Sequence, residues 1–132
     1  MKKLFLTILS AIMLVMALPF NASAQDYTPQ NCEAVISATQ AQLPMSIDDD
    51  VTWTGLNFAD NKTVIVFTFK IDASNMGISL ADLKLGFDSM SANDVKGFLG
   101  DEFMQMLRGF KKKGRLVILF SDGTKRTFEI EP

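Results

Sequence analysis

Residue types that carry catalytic chemistry are scarce in this chain. Its 132 residues include one cysteine, Cys32, and no histidine. Ser-His-Asp and Cys-His arrangements need an imidazole base, so both are excluded, as are zinc sites built on imidazole. Cys32 has no basic neighbour in sequence that would favour its thiolate, and we expect a small buried thiol. The composition predicts a protein without enzymatic activity, cofactor or metal. An enzyme that uses only Asp, Lys and Ser is a less favoured alternative.

Carboxylates are more frequent, and their densest run is Asp48-Asp49-Asp50. Such a run offers oxygen ligands to a calcium ion or contacts to a basic partner. It lacks the alternate ligand spacing and the later glutamate of an EF-hand, which favours a solvated acidic loop and leaves ion binding open. Asp60 and Asp122 resemble an acid/base pair. Both stand in predicted hairpin turns, where aspartate accepts backbone N–H groups, so a turn role is the preferred interpretation.

Several cations stand close together near the end of the chain. Four follow a predicted helix and two begin the last predicted strand: Lys111, Lys112, Lys113, Arg115, Lys125 and Arg126. The first four form a candidate anion patch for a glycan, a lipid headgroup or an acidic protein. The simpler interpretation is that they stabilise the negative end of the helix dipole and add solubility.

A second candidate site is apolar and lies on two predicted strands. Its members alternate with residues of the predicted core: Val64, Val66, Val117 and Leu119. If helices cover only the face of the sheet that carries Ile65 and Phe67, these four side chains form an exposed strip, which is typical of an interface. Helices on both faces, or a shifted strand phase, would bury them instead.

The fold that positions these residues is predicted to start after an export signal. Lys2 and Lys3 precede an apolar run from Leu4 to Leu18, and Ala22-Ser23-Ala24 provides a cleavage site. About 15 apolar residues are too few to span a bilayer, which needs about 20. We therefore predict that residues 1–24 are a cleaved signal peptide and residues 25–132 a single domain, exported to the periplasm or secreted, with no membrane span after cleavage.

The remaining chain is predicted to alternate helices with hairpins. A first amphipathic helix starts after Thr28-Pro29 and ends before Pro44. A first hairpin follows, with a bulge or bend at Gly55. Capping signals at Ser79 and Ser91 predict the starts of two helices. The first helix is short, and the second is long and ends at Phe110. A second hairpin turns at Ser121-Asp122-Gly123-Thr124.

These elements predict an α+β domain. Two hairpins would form a four-stranded antiparallel sheet packed against about three helices. The two halves also match at an offset of about 62 residues, where Phe58-Ala59-Asp60-Asn61 corresponds to Phe120-Ser121-Asp122-Gly123. The match suggests an internal helix-plus-hairpin repeat, which would give the same antiparallel sheet.

The segment Leu43-Pro44-Met45-Ser46-Ile47-Asp48, with the strand Val64-Ile65-Val66-Phe67 after it, carries a resemblance. It is similar to a group of small exported bacterial proteins that have a Leu-Pro-x-x-(Val/Ile)-Asp motif after the first helix and a final hairpin around Asp-Gly. That group has no established activity. The resemblance implies an exported α+β domain and supplies no catalytic residues.

Together these observations predict an exported, non-enzymatic binding module. Its partner is an unknown protein or a second copy of the chain bound through one sheet face. Loss of the leader removes two cations and changes the net charge from −2 to −4, which disfavours nucleic acid. The alternative is a periplasmic carrier or sensor of a small apolar ligand held near Trp53, Phe98 and Phe103.

Overall fold

The computed structural model describes residues 27–72 and 77–132, which form one sheet with helices packed against it. The predicted leader, residues 1–24, lies outside the described residues. Within them the elements are α1 (Cys32–Gln40), β1 (Met45–Asp48), β2 (Val51–Ala59), β3 (Val64–Ile71), α2 (Leu80–Asp88), α3 (Ala92–Leu99), α4 (Asp101–Phe110), β4 (Lys113–Phe120) and β5 (Lys125–Ile130).

The sheet has five strands in the order β1-β2-β3-β4-β5, and β3 and β4 pair in parallel. β1, β2 and β3 form an antiparallel meander, and β4 and β5 form a hairpin. The predicted four-stranded antiparallel sheet is therefore wrong, and so is the internal repeat that implied it. Between β3 and β4 the chain passes through α2, α3 and α4 and returns to the end of the sheet where β3 began. Such a helical crossover joins parallel neighbours, whereas a tight turn joins antiparallel ones.

The strand that the sequence did not predict is β1, at one edge of the sheet. It pairs with the start of β2 and has a register irregularity between Ser46 and Asp48. Only Ile47 among its four residues is buried. A segment of four residues with one buried side chain is too short to show the alternation that identifies a strand.

The predicted bulge in β2 is confirmed. The pairing of β2 with β3 shifts register between Trp53 and Gly55. The shift adds one residue to β2, so Leu56 faces the same side of the sheet as Val51 and Trp53 although it is out of phase with them. All three are buried.

The long helix predicted to end at Phe110 is divided at Gly100 into α3 and α4. Gly100 has φ 91°, a value that glycine adopts readily and that does not continue an α-helix. The structure thus has four helices among the described residues, where about three were expected. α3 begins with a full capping box between Ser91 and Asp94, as the sequence indicated.

The core lies between the inner face of the sheet and the helices. Its centre is aromatic: the Trp53 ring stacks on Phe69 at a centroid distance of 5.8 Å, and Phe67 meets Phe103 edge-on at 5.0 Å. All four rings are 0–1% exposed. Cys32 is 2% exposed and free, which confirms the expected buried thiol.

The first described residue, Tyr27, is fixed against the end of α4. Its ring meets Phe110 edge-on at 5.5 Å, and its hydroxyl donates to Oε1 of Glu102 at 3.0 Å. Burial and this carboxylate raise the pKa of Tyr27 well above its ordinary value. The backbone of Tyr27 lies directly over Gly109, where a side chain would not fit. None of the helices in residues 27–72 and 77–132 is long and apolar enough to cross a membrane.

Candidate binding surface

The sheet has an inner face that packs on the helices and an outer face that no described helix covers. Strand β4 shows the difference in its alternation. Leu116, Ile118 and Phe120 point inward and are buried, whereas Val117 and Leu119 between them point outward and are half-buried. The outward positions of β4 are therefore less buried than its inward positions.

The four apolar residues singled out in the sequence all lie on this outer face. We call Val64, Val66, Val117 and Leu119 the outer apolar strip. The parallel register places Val66 beside Arg115 and Val117 beside Thr68, so the strip runs diagonally across β3 and β4. Val64 is 5% exposed, and the other three side chains are half-buried. The parallel pairing thus brings two distant segments into adjacent strands, and a cation or a threonine lies directly beside each member of the strip: Lys113 beside Val64, Arg115 beside Val66, Thr68 beside Val117 and Lys70 beside Leu119.

Threonines surround the outer apolar strip, and sequence reasoning did not include them in the site. Thr68 lies beside Val117, which in turn lies beside Thr127. On β2, Thr54 donates its hydroxyl to the carbonyl of Thr68 at 3.3 Å. The alternation of threonine with apolar residues was visible in the sequence, but the bulge in β2 hid which threonines share a face.

One end of the outer face carries an ionic network. Arg115 donates to both carboxylate oxygens of Glu129, at 2.7 and 2.9 Å, and to Oδ2 of Asp60 at 3.2 Å. These bonds raise the pKa of Arg115 and lower that of Glu129. Lys113 forms a second pair with Glu131, with 3.1 Å between Nζ and Oε1. At this end, the outer apolar strip is therefore bordered by charged side chains that are already paired with one another.

The predicted anion patch is divided among three environments. Lys111 ends α4 in the left-handed conformation, with φ 58°, and is exposed. Lys112 is half-buried near Cys32, where it opposes the rise in pKa that burial causes at the thiol. Lys113 and Arg115 lie on the outer face and each holds a carboxylate. Anion binding at these four residues stays a prediction.

The acidic run Asp48-Asp49-Asp50 forms the end of β1 and its turn into β2. Asp48 and Asp49 are exposed. Oδ1 of Asp50 is buried and has no hydrogen-bond partner among the described residues. The described residues contain no group of three or more His, Cys, Asp and Glu that could hold a metal ion. A solvated acidic loop stays the preferred interpretation, and ion binding stays the alternative that the sequence left open.

The two aspartates that resembled an acid/base pair act in turns. Oδ1 of Asp122 accepts the backbone N–H of Thr124 at 3.0 Å and its hydroxyl at 2.6 Å. Bonds from Lys84 and Thr124 hold the pKa of Asp122 well below its usual range. The Asp60 carbonyl accepts the N–H of Thr63 at 3.2 Å. Both aspartates thus stabilise hairpins.

The residues of the alternative ligand site lie in the core. Trp53 and Phe103 meet edge-on at a centroid distance of 5.7 Å, and both are buried. Phe98 is 0% exposed and packs edge-on against Phe69 at 6.0 Å. These rings occupy the space between sheet and helices and contact one another there.

Comparisons with known proteins give a fold and no family. No protein-family model and no curated protein match the chain. The pilotin EpsS of the Vibrio vulnificus type 2 secretion system is similar in structure, with a TM-score of 0.53, 11% identity, and coverage of 77% of this chain and 86% of that one. A Pseudomonas aeruginosa protein described as secreted has a TM-score of 0.50 and 15% identity over 76% of this chain and 87% of its own. At these identities the similarity shows a shared fold.

Proposed function

We propose that this chain is an exported, non-enzymatic binding module that engages a protein partner through the outer face of its sheet. The observation that carries the proposal is the outer apolar strip, which lies on a face that no described helix covers. Apolar side chains bordered by polar and charged ones are the usual composition of a protein interface.

The shape of this surface favours a protein over a small molecule. A drug-sized ligand binds in a concave site that encloses most of its surface. The outer face is one side of a sheet, and its half-buried apolar side chains are distributed over the adjacent strands β3 and β4. A partner must therefore be broad enough to cover several strands at once.

Export is supported by the predicted leader and by the fold. Residues 1–24 have the three-part pattern of a signal peptide. Both similar structures come from proteins that are named for secretion, one as a pilotin of a secretion system and one as secreted. The absence of histidine from the sequence supports the non-enzymatic part of the proposal.

Site-specific photo-crosslinking in the organism that encodes the chain tests this proposal. A photoreactive amino acid placed at Thr68 or Val117, at the centre of the outer face, should give covalent adducts with the partner. The same group at Gln105, which is exposed on α4, is the matched control. An adduct of twice the protein mass identifies a second copy, and any other mass identifies a different protein.

Charged variants make the crosslinking decisive. Val66→Lys and Leu119→Lys place an ammonium group in the outer apolar strip and should abolish the adducts, because burying an unpaired charge opposes binding. Circular dichroism should show that both variants remain folded, since both side chains are only half-buried. Adducts no more abundant at the two central positions than at Gln105, or adducts that persist in both lysine variants, would contradict the proposal.

A further inference from the structure

The two edges of the sheet differ in how readily they accept another strand. At one edge, β1 has four residues and a register irregularity between Ser46 and Asp48. At the other edge, β5 has six residues and pairs with β4 without any register shift. Short, irregular edges resist the addition of a strand, whereas long, regular ones permit it. The β5 edge is therefore the better acceptor.

The hairpin fixes which backbone groups of β5 point away from the sheet. The N–H of Phe120 donates to the carbonyl of Thr124 at 2.9 Å, which makes these two residues a hydrogen-bonded pair. Because such pairs alternate in antiparallel strands, the N–H and C=O groups of Lys125, Thr127 and Glu129 point outward. In the part of the chain that the structure describes, they bond to no other strand or helix.

The residues of β5 whose backbone groups point outward carry one cation and one anion, so the strand can match the charges of a second copy of itself. We propose that two copies of this chain pair antiparallel through β5, with the two-fold axis at Thr127. Lys125 then faces Glu129 of the second copy, the reverse pair forms symmetrically, and Thr127 faces its own counterpart. Opposite charges and threonine pairs are favourable across antiparallel strands. A slide of two residues would instead place Thr127 opposite a charged residue.

The backbone and the neighbouring side chains support this register. Three facing pairs exchange two hydrogen bonds each, or about six in all. Glu129 already accepts from Arg115, so the added Lys125 of the second copy completes an alternating line of cation, anion and cation. The two five-stranded sheets become one continuous sheet, and the two-fold symmetry closes the assembly at a dimer.

The inner side of the edge adds apolar contact. Phe128 is half-buried, and its ring lies 6.4 Å from that of Phe87. It lies at the last strand of the sheet, next to solvent. In the proposed register it faces Arg126 of the second copy, whose aliphatic stem can cover the ring while its guanidinium stays bonded to Asp88 of its own chain. The added strand therefore covers aromatic surface that the single chain leaves open.

Sedimentation of the protein expressed from the full sequence, at concentrations up to about 1 mM, tests the charge pairing. Lys125→Glu and Glu129→Lys each replace two attractive pairs with repulsive ones and should weaken dimerisation at least about tenfold. An equal mixture of the two variants should restore the dimer. Positions 125 and 129 are then both acidic in one partner and both basic in the other, so both facing pairs are attractive. Lys111 is exposed and is not part of β5, so the control variant Lys111→Glu should dimerise like the unchanged protein.

A cysteine at the two-fold axis tests the register. Hydrogen-bonded partners have Cα atoms about 5.5 Å apart, which suits a disulfide. Thr127→Cys should therefore form a linked dimer under mild oxidation, and Gln105→Cys should not. Cys32 is 2% exposed and does not compete.

Three results would overturn the pairing. They are a protein that stays monomeric throughout the concentration range, a mixture of the two charge variants that stays monomeric, and equal oxidation of the two cysteine variants. Loss of the dimer in Val66→Lys, with no effect of Lys125→Glu, would place the contact on the outer face instead. Conversely, Lys125→Glu should leave the adducts at Thr68 unchanged, so the two proposals fail independently.

Discussion

The docking of Tyr27 on α4 gives the sharpest prediction for folding, because it depends on one absent side chain. A Cβ at Gly109 would lie 2.6 Å from the Cβ of Tyr27 and would overlap its carbonyl oxygen. The Tyr27 segment would have to move by about 1 Å to reach ordinary contact distances. At Gly97 on α3, a Cβ would meet nothing within 4 Å. Alanine at these two helical glycines should therefore have opposite effects.

The magnitudes follow from known costs. Replacing glycine by alanine within a helix stabilises it by about 0.5–1 kcal/mol, which is the full effect expected at Gly97. At Gly109 the clash costs about 1–3 kcal/mol. If the segment moves away, the hydrogen bond from Tyr27 to Glu102 is also lost, at about 1 kcal/mol. We expect Gly109→Ala to destabilise the protein by about 1–2 kcal/mol after the gain in helix propensity is subtracted.

Urea unfolding followed by tryptophan fluorescence measures the difference. Trp53 is the only tryptophan and is 0% exposed, so its emission reports the loss of the core. For a domain of this size, the two alanine variants should differ by roughly 1 M in the urea midpoint. In a Tyr27→Ala background, Gly109→Ala should become neutral or stabilising, since the contact it disrupts is already weakened. If Gly109→Ala stabilises the protein as much as Gly97→Ala does, Tyr27 does not pack on α4 and the argument is refuted.

Two further predictions concern a helix cap and pH. Oγ of Ser91 accepts the N–H of Asp94 at 3.2 Å. Ser91→Ala should therefore cost about 1 kcal/mol in urea unfolding, while Ser37→Ala, at an exposed position within α1, should cost nearly nothing; equal effects would count against the cap. The pKa of Glu129 lies below the ordinary value of a glutamate side chain, mainly because of the hydrogen bond from Arg115. The ion pair therefore adds to the free energy of unfolding above the ordinary pKa of glutamate, and this gain is lost as the pH falls through the lowered pKa of Glu129. The urea midpoint should drop less between pH 7 and about pH 3 in Glu129→Gln than in the unchanged protein, and an identical drop would exclude this pair as a contributor.

Local features of the fold were predictable from the sequence. The start of α3 followed from Ser91 and its capping partner, and the bulge in β2 followed from Gly55 between two apolar pairs. Burial of Cys32 followed from its place in a helical apolar pattern. Each depends on residues within a few positions of one another, so the sequence contains the complete interaction.

The break at Gly100 was not predictable from the same kind of pattern. The apolar spacing from Val95 to Phe110 is continuous, and a glycine inside a helix costs only about 1 kcal/mol. Whether the chain bends there depends on how both halves pack against the sheet. Packing against strands that are distant in sequence overrides local propensity here.

The composition of the candidate surface could be predicted, but its geometry could not. The sequence indicated that Val66, Val117 and Leu119 alternate with core residues. It could not indicate that Arg115 already holds Glu129 and Asp60, because the last contact joins positions 55 residues apart. The basic cluster therefore looked like one patch in sequence, whereas the structure separates its members.

The sequence by itself determined the chemistry this protein lacks, the predicted leader, the periodicity of its elements and the alternation that gives each strand two faces. Only the tertiary structure decided that β3 and β4 run parallel, that β1 completes one edge and that β5 is left open at the other. The physical reason is the length of the crossover. Three helices separate β3 from β4, and the direction in which the chain returns depends on their packing against the sheet rather than on any local residue pattern.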